Sequence, residues 1–551
     1  RVRIDNTHSE YEGKLYASSS NTLTDGSSQG HYTVNNGQYS QTYADVLVNI
    51  NKRIQDFTIV ANIGASYSGV TSKELGYAGP IRETGIPNLF NVYDLDNAKK
   101  RATQVGWREA TESIFASAEV GWKSMLYLTV TGRNDWASQL THSPQASFFY
   151  PSVGLSAVIT EILKLPDWVD YLKVRGSFSS VGNPYPRFLT YPTYSYDANK
   201  QDWKSQTNYP IGKLYPERTD SWEVGLDATL FKDFKLSGSF YYANTYNQTF
   251  DPRLPVSSGY DKLYVQTGYV RNYGFEAMLS YGHRWGDFGW DSSFTFSANK
   301  NEIVELVKDY VHPETGKTYN VDKLELKTDE GRGFGKAKFI LKEGGTLGDL
   351  YTHADLKRDI NGNVLIDDSG NVTAIDNAGD IKLGSVLPKA NLAWNNSFSY
   401  KGINAGFLLT ARLGGIVYSA TQAYLDLYGV SETSAAARDA GGVWINGRSR
   451  VNPQSFYEVV ASQSGLPTYY TYSATNLRLQ EAHIGYTVPR RWLGNVCDIN
   501  VSLVGRNLWM IYCKAPFDPE AVATTNNYYQ GIDYFMMPST RNIGFNIKIN
   551  F

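Results

Sequence analysis

The C-terminal stretch Thr540 to Phe551 alternates between apolar and polar residues up to the end of the chain. Its apolar positions share one parity: Ile543, Phe545, Ile547, Ile549 and Phe551. Its small, polar or charged positions share the other: Asn542, Gly544, Asn546, Lys548 and Asn550. Because successive side chains of a strand point to opposite faces, the pattern predicts a strand with one apolar and one polar face.

Comparable alternation predicts sixteen strands in all, at 11–20, 43–54, 56–68, 111–122, 124–136, 150–161, 170–181, 219–231, 234–247, 272–285, 287–300, 389–401, 403–415, 475–488, 497–508 and 540–551. One of them changes phase. Leu477 and Leu479 fall on one parity, whereas Ile484 and Tyr486 fall on the other. A β-bulge near Glu481 would account for that change.

The connections between these strands alternate in length. The short ones are 53–56, the turn at Lys123, 162–169, 231–233, 284–287, 401–402 and 489–496. The long ones are 21–42, 69–110, 137–149, 182–218, 248–271, 301–388, 416–474 and 509–539. In an up-and-down sheet every second connection lies on the same rim. One rim would therefore have only short turns, and the other would have all the long connections. Outer-membrane barrels show this asymmetry, with short periplasmic turns and long extracellular loops.

Composition narrows the alternatives. A chain of 551 residues is too long for one compact core, so it forms several domains or one large closed sheet. No apolar run approaches 18 residues, which excludes a helical membrane span, and alternating barrel strands give an unremarkable mean hydropathy such as −0.38. A net charge of −2 gives no support to a nucleic-acid partner. We therefore predict an all-β, transmembrane, antiparallel up-and-down β-barrel, closed because lipid leaves no backbone group free.

The parity that would face the barrel lumen is rich in charge. Its charged residues are Arg133, Lys173, Arg175, Glu223, Glu276, Arg412, Arg506 and Lys548. A wide barrel holds water or a plug, and charges away from bulk solvent need partners. We expect these side chains to face a water-filled lumen or a polar plug domain.

Aromatic residues crowd the long connections, and polar acceptors lie beside them. Sugar rings stack on aromatic faces, and peptides also bind such amphipathic surfaces, so we expect a substrate site there. The alternative is loop packing together with an aromatic girdle at the membrane surface. The aromatic candidates are Trp203, Tyr209, Tyr424, Tyr428, Trp444, Tyr469, Tyr470, Tyr528, Tyr529 and Tyr534. The acceptor candidates are Asp426, Asn446, Asp518 and Asp533.

An acidic stretch in the longest connection offers oxygen ligands for calcium at Asp359, Asn361, Asn363, Asp367, Asp368 and Asp380. Its spacing lacks the Gly and Glu of an EF-hand, so a chain of Asx turns is the competing interpretation. No other cofactor is expected.

The sequence carries no sign of an enzyme. Seven histidines are scattered, with no HExxH motif, no GxSxG elbow and no phosphate loop. Cys497 and Cys513 would lie near opposite ends of one strand, so we expect two free thiols. The chain has neither an initiating Met nor a signal peptide, so we expect a processed piece of a longer protein.

From about residue 43 onward the chain contains a series of distinctive segments. They are TVTGRNDWASQL, FFYPSVGLSAVI, YLKVRGSFSSVGN, LYPERTDSWEVGLDATLF, FYYANTYNQTF, VRNYGFEAMLSYG, NLRLQEAHIGYTVP, VGRNLWMIYCKAPFDPEA and QGIDYFMMPSTRNIGFNIKINF. In this order, these segments resemble the SusC/RagA family of TonB-dependent outer-membrane transporters. The resemblance implies a barrel of twenty-two strands around an N-terminal plug. Residues 1–551 would then be its C-terminal portion, with the plug and the first strands absent from this chain.

The same resemblance implies a function and partners. A SusC-type importer of the bacterial outer membrane takes up oligosaccharides, or in some members peptides, beneath a SusD-like surface lipoprotein that closes as a lid. It couples to the TonB complex through the plug, and the transporter–lipoprotein pairs form dimers. The alternatives from other classes are a passive porin, a surface adhesion barrel and an outer-membrane hydrolase.

Overall fold

A computed structural model describes residues 1–189, 193–197, 202–205, 208–209, 214–250, 262–311, 316, 318–326, 333–524 and 529–550. Sixteen strands form one sheet, and each strand lies beside its neighbours in the chain. They are β1 Val2–Leu15, β2 His31–Ile54, β3 Phe57–Pro80, β4 Arg101–Trp122, β5 Leu126–Ala137, β6 Ser147–Val158, β7 Val169–Asn183, β8 Glu217–Leu230, β9 Phe234–Phe250, β10 Val265–Trp285, β11 Phe288–Glu305, β12 Ala390–Tyr400, β13 Ile403–Leu413, β14 Asn476–Val488, β15 Asp498–Cys513 and β16 Asn542–Asn550.

All sixteen predicted strands are present in the predicted order, which confirms the all-β fold class. The predicted bulge is confirmed as well, because Leu408 pairs with Glu481 and Leu409 with Leu479, leaving Gln480 unopposed. The predicted boundaries were wrong mainly at the ends that meet long connections. The strand predicted at 43–54 begins at His31, the one at 56–68 runs to Pro80, and the one at 11–20 is Val2–Leu15.

The register separates two faces of the sheet. One row joins Phe545, Leu503, Ile484, Ala405, Phe398 and Trp290. Phe545, Leu503 and Ile484 are each more than half exposed, as expected for side chains that meet hydrocarbon. We call this side the lipid face. The opposite side, which carries Arg412 and Asn391 as a directly facing pair, is called the lumen face.

The connections confirm the two rims. The short ones are 55–56, 123–125, 159–168, 231–233, 286–287, 401–402 and 489–497. The long ones are 16–30, 81–100, 138–146, 184–216, 251–264, 306–389, 414–475 and 514–541, of which only 138–146 is no longer than its short counterparts. The turn at 401–402 has positive φ at Lys401 (46°) and Gly402 (90°), which matches the twist of a two-residue hairpin.

Helices are few. They are α1 Ile159–Ile162, α2 Ala420–Leu427, α3 Glu432–Asp439 and α4 Pro453–Val460, with 3-10 turns at Val92–Asp94, Ser138–Leu140, Ser462–Ser464 and Arg490–Leu493. Ser419, Ser431 and Asn452 cap α2, α3 and α4 by accepting hydrogen bonds from backbone N–H groups of the first turn. In the part of the chain described here, no helix is long and apolar enough to cross a membrane.

Short strands give the long connections their own structure. They lie at Tyr194–Asp197, Asp202–Ser205, Asn208–Tyr209, Lys262–Leu263, Val307–Val311, Thr318–Val321, Lys323–Glu325, Gly333–Phe334, Ala337–Lys342, Asp349–Thr352, Asp355–Leu356, Ala374–Ile375, Ile381–Ser385, Ile416–Ser419, Val443–Ile445, Ser449–Val451, Thr471–Ser473 and Ile532–Asp533.

Two compact units are present, one formed by 1–154, 179–219 and 253–266, the other by 155–178, 220–252 and 267–551. In the second unit the connections 306–389, 414–475 and 514–541 share a hydrophobic core. Tyr418, Leu350 and Ile532 contribute fully buried side chains to it. Cys497 and Cys513 are free thiols, as predicted.

Candidate functional site

The predicted lumen charges of β7 and β8 form a small ionic group. Arg175 donates to Asp227 at 2.7 Å and to Glu223 at 3.4 Å. Lys173 lies two residues away, and its positive charge also acts on Asp227. The sheet therefore supplies its own counter-charges for Arg175, in a strip of carboxylates and cations.

Two further predicted arginines have carboxylate partners on the same face. Arg133 donates to Asp135 at 2.6 Å and to Ser113 at 2.9 Å. Arg506 donates to Glu481 at 3.0 Å, across the pair that joins β14 and β15. These arrangements are those of a polar wall, and their role in seating a plug stays a prediction.

A cavity of about 760 Å³ lies on the lumen face of the second unit. Arg175, Glu276 and Arg412 line it, together with Glu520 from the last long connection. Arg412 donates to the carbonyl oxygen of Val386 at 2.7 Å, which fixes its guanidinium at the edge of the cavity. Three residues predicted from distant strands are therefore brought together around one space.

Two of the predicted loop aromatics meet in an aromatic cluster formed by Phe334, Tyr424, Tyr534 and Phe535. The ring centroid of Tyr534 lies 4.3 Å from that of Phe334, 5.2 Å from that of Phe535 and 6.4 Å from that of Tyr424. Tyr534 and Phe535 remain largely exposed. Phe334 and Phe535 were missed by sequence reasoning, although the apolar run Tyr534 to Met537 was a usable signal.

Asp426 forms hydrogen bonds inside the fold, and its predicted contact with a ligand stays a prediction. Its carboxylate is buried and accepts from Thr433 at 2.7 Å, Tyr470 at 3.0 Å and Gln422 at 3.1 Å, and also from Ser431. Burial, followed by the nearby carboxylate, raises the pKa of Tyr470, so the phenol stays protonated and donates. Both oxygens of Asp426 are occupied by the protein, so this network joins α2, α3 and the 466–475 segment.

Asn446 and Asp533 are likewise hydrogen-bonded within the fold, and their role as ligand acceptors stays a prediction. Asn446 accepts from the N–H of Val364 at 3.0 Å and donates to its carbonyl oxygen at 2.9 Å. Asp533 is buried and accepts from the hydroxyl of Ser419 at 2.5 Å. Each hydrogen bond ties two connections that are distant in sequence.

The remaining loop candidates are dispersed. Trp203 is exposed and packs beside Tyr196 with centroids 5.2 Å apart. Tyr428 is exposed at the end of α2, and Trp444 is exposed with the guanidinium of Arg450 4.4 Å from its ring centroid. The other predicted aromatics are the half-buried Tyr469 and Tyr529, which pack against the loop core, Tyr209, which lies in a short parallel strand pair, and Tyr528, which lies outside the described residues.

The calcium candidates are arranged as two successive Asx turns. Asp359 accepts from the N–H groups of Asn361 and Asn363, both at 2.8 Å. Asp367 repeats the arrangement eight residues further on, accepting from Ser369 at 2.9 Å and from Asn371 at 2.8 Å. Within the described ranges, no three His, Cys, Asp or Glu side chains converge on a metal-sized site, and neither Asp368 nor Asp380 completes one. The turns account for these residues without calcium, and calcium binding stays a prediction.

A buried ion pair in the second unit was not anticipated from the sequence. Arg478, on the lumen face of β14, donates to both oxygens of Asp518 at 2.8 and 3.2 Å, and Glu520 lies 3.3 Å away. Burial opposes ionisation of Asp518, but hydrogen bonds from Arg478 and the N–H of Glu520 outweigh it and lower its pKa. Asp518, predicted to accept from a ligand, instead fastens the connection 514–541 to the sheet.

Known proteins share the sequence and the architecture of this chain. A family described as TonB dependent receptor-like, beta-barrel, matches residues 2–508. The TonB-dependent receptor P3 of Formosa agariphila is 24% identical over 524 residues, covering 88% of this chain and 50% of that protein. The TonB-dependent receptor SusC of Bacteroides thetaiotaomicron is 24% identical over 433 residues, covering 72% of this chain and 40% of that protein.

A structural comparison agrees on the fold. The structure of the RagAB peptide transporter matches with a TM-score of 0.75 at 18% identity, covering 100% of this chain and 59% of that one. The chain spans about half the length of the curated relatives it matches. With most of its sequence matched by one family and its strands arranged as that family requires, the chain belongs to the TonB-dependent receptor-like β-barrel family of the bacterial outer membrane.

Proposed function

We propose that the chain is the barrel portion of an outer-membrane importer that takes up an oligosaccharide. The observation that carries this proposal is the family match over residues 2–508, on a sheet whose connections are sorted by length between two rims. In this proposal the short rim faces the periplasm and the long connections form the external surface that meets the nutrient.

The proposal includes two partners. A SusD-like surface lipoprotein closes over the long connections, and TonB acts through a plug domain. Support for this comes from the similarity to SusC over 433 residues and from the compact packing of three long connections on one core. A dimer of transporter–lipoprotein pairs is part of the same proposal, as is the absence of any enzymatic step.

An oligosaccharide is preferred as substrate because the long-connection rim exposes aromatic rings beside polar groups. Tyr534 and Phe535 offer partly open ring faces, the geometry on which sugar rings stack. A peptide is the second candidate, favoured by the fold likeness to the RagAB peptide transporter.

Uptake by cells tests this function. Cells that lack the transporter, complemented with the full-length protein and its lipoprotein, are expected to grow on an oligosaccharide as sole carbon source only when TonB is present. Growth without TonB, with steady ion conductance of the purified protein in a planar bilayer, would instead identify a passive porin. Growth only on peptides would establish the second candidate, and hydrolysis of the sugar by the purified protein would reveal an enzyme.

Two variants refine the test. Tyr534→Ala is expected to slow uptake at limiting sugar, because it removes the central ring of the aromatic cluster. Trp492→Ala removes an aromatic residue that is more exposed than Tyr534 from the short rim and serves as the control. Equal uptake by both variants would show that the aromatic cluster does not contact substrate.

A further inference from the structure

Strands β2, β3 and β4 are much longer than a bilayer requires. They contain 24, 24 and 22 residues, whereas about 9–11 tilted residues cross the hydrocarbon. On the lipid face of β2 the positions from Ala44 to Ile54 are apolar except for Lys52. The four positions before them are polar, namely Asn36, Gln38, Ser40 and Thr42, and Val34 and Tyr32 follow only at the far end of the strand. Roughly 13 residues, or ~40 Å of strand, therefore continue beyond the membrane.

We call this continuation the protruding sheet, made of residues 2–15, 31–43, 68–80 and 101–111. Its lumen face consists of cross-strand rows with small residues between larger ones. The rows are Thr7–Tyr39–Ser72–Trp107, Ser9–Gly37–Glu74–Val105 and Tyr11–Asn35–Gly76–Thr103. The serine and glycine positions carry short side chains, and the aromatic rings beside them project further from the sheet.

The rings on this face are presented for contact. Tyr11 is 62% and Tyr39 is 40% exposed. Tyr39 meets Trp107 edge to face at 6.4 Å, and the guanidinium of Arg187 covers Trp107 at 3.8 Å. Tyr11 faces Asn35, four residues along β2 from Tyr39, so the two open rings are separated by ~13 Å along the strand. That spacing exceeds one sugar ring and suits an oligomer.

The charges on this face exclude a polyanionic ligand. All residues of β1 to β4 are described, and each arginine on or beside the lumen face of the protruding sheet already has a carboxylate partner. The pairs are Arg1–Asp45 at 3.0 Å, Arg3–Asp5 at 2.7 Å, Arg101–Asp25 at 3.8 Å, and Arg187–Glu109. Glu74, in contrast, is held by the amide of Asn35 at 2.5 Å. The lumen face of the protruding sheet therefore offers groups that accept hydrogen bonds from ligand hydroxyls, and it has no arginine without a carboxylate partner.

Peptide capture by strand addition is disfavoured at the centre of the protruding sheet. β2 and β3 are hydrogen-bonded to neighbours on both edges there, whereas β4 is paired on only one edge before Thr111. No backbone edge is therefore open on β2 or β3 for an extended peptide. On these two strands, side chains alone remain to contact a ligand.

We propose that the lumen face of the protruding sheet binds a neutral, hydroxyl-rich oligosaccharide. Tyr11 and Tyr39 are the stacking platforms. Glu74 accepts from sugar hydroxyls between them, and Gln41 accepts on the side of Tyr39 away from Tyr11. Gln41 donates to Ser68 at 3.3 Å, which leaves its carbonyl oxygen for the ligand. The inference rests on the proposed import function and deepens it by naming a surface and a charge class.

Calorimetric titration of the purified full-length transporter tests the proposal. The probes are neutral oligosaccharides of differing linkage (maltoheptaose, cellohexaose and mannohexaose), hexagalacturonate as a polyanion, and a decapeptide pool. At least one neutral probe is expected to bind. Tyr11→Ala and Tyr39→Ala should each weaken that binding by about tenfold or more, whereas Tyr39→Phe should preserve it.

A matched control and an independent arm complete the design. Tyr67, 42% exposed on the lipid face of β3, is the control, and Tyr67→Ala should leave the affinity unchanged. Ser72→Phe should abolish binding, because the larger side chain fills the space between Tyr39 and Trp107.

The failures are distinguishable. Binding of a neutral probe that is indifferent to Tyr11→Ala, Tyr39→Ala and Ser72→Phe would overturn the surface assignment while leaving the import function intact. Binding of only the polyanion or the peptides, or of no probe, would overturn the charge class. Failure of TonB-dependent growth on any oligosaccharide would refute the import function itself.

Discussion

The Arg478–Asp518 ion pair predicts an ordered series of effects on the connection 514–541. Both side chains are at least nine-tenths buried, whereas Glu520, the second carboxylate near Arg478, is 43% exposed. Arg478→Met leaves the Asp518 carboxylate buried without a counter-charge. Asp518→Asn leaves Arg478 with Glu520 and with the amide oxygen of Asn476 at 3.3 Å.

The magnitudes follow from that difference. Removing one partner of a buried pair costs about 3–5 kcal/mol, which we expect for Arg478→Met. Asp518→Asn should cost about 1–3 kcal/mol, because hydrogen bonds are lost but no charge is stranded. Combining the two changes should recover part of the loss, since the stranded carboxylate is then gone.

Hydrogen exchange measures the local opening. The N–H groups of Glu520 and Ala521 bond to Asp518 and report its position. A loss of 3 kcal/mol should speed their exchange by about two orders of magnitude. Exchange in Arg478→Met that is no faster than in Asp518→Asn, or a double variant worse than either, would refute the assignment of this pair as the fastening of the connection.

Three further outcomes are expected. Because the pKa of Asp518 is lowered in the folded protein, its contribution to stability is complete above the unfolded pKa of about 4 and is lost as pH falls through the folded pKa. Hydrogen exchange at 514–541 should therefore accelerate below about pH 4, and it should accelerate less in Asp518→Asn. Asn446→Ala removes both hydrogen bonds to Val364 and should lower thermal stability by about 1–3 kcal/mol, measured by calorimetry. Ile50→Lys, on the lipid face within the bilayer, should cost about 2–4 kcal/mol in a bilayer refolding assay, whereas Gln38→Lys in the protruding sheet should be nearly neutral.

The transmembrane part of the fold could be predicted because lipid and water impose opposite demands on alternate residues. Where one face meets hydrocarbon, as along Ala44 to Ile54, period-two patterning is unavoidable. Where both faces meet water, as along His31 to Tyr43, the pattern fades although the strand continues. The missed strand ends are therefore the parts of the sheet above the membrane.

The loop site was harder to predict because its side chains are used by partners far away in sequence. Tyr470 reaches Asp426 over 44 positions, Asn446 reaches Val364 over 82, and Ser419 reaches Asp533 over 114. A polar residue beside aromatic residues looks the same in the sequence whether it binds a ligand or forms a hydrogen bond within the fold. For Asp426 and Asp533 burial decides between the two, and it arises only when three connections pack together, whereas Asn446 is exposed and only its two hydrogen bonds to Val364 show its use in the fold.

The boundary at which the lipid face loses its apolar residues links fold and function. Below this boundary, on strands such as β2, the outward side chains contact lipid and are therefore mostly apolar. Above it, neither face is bound by that demand, so the sheet is free to carry rings, amides and carboxylates at positions fixed by paired neighbouring strands, on both sides for β2 and β3. A ligand surface built there has fixed spacing and loses little entropy on binding, which a surface made only of loops does not offer. The length of these strands beyond the bilayer is thus itself an argument that they do more than close a barrel.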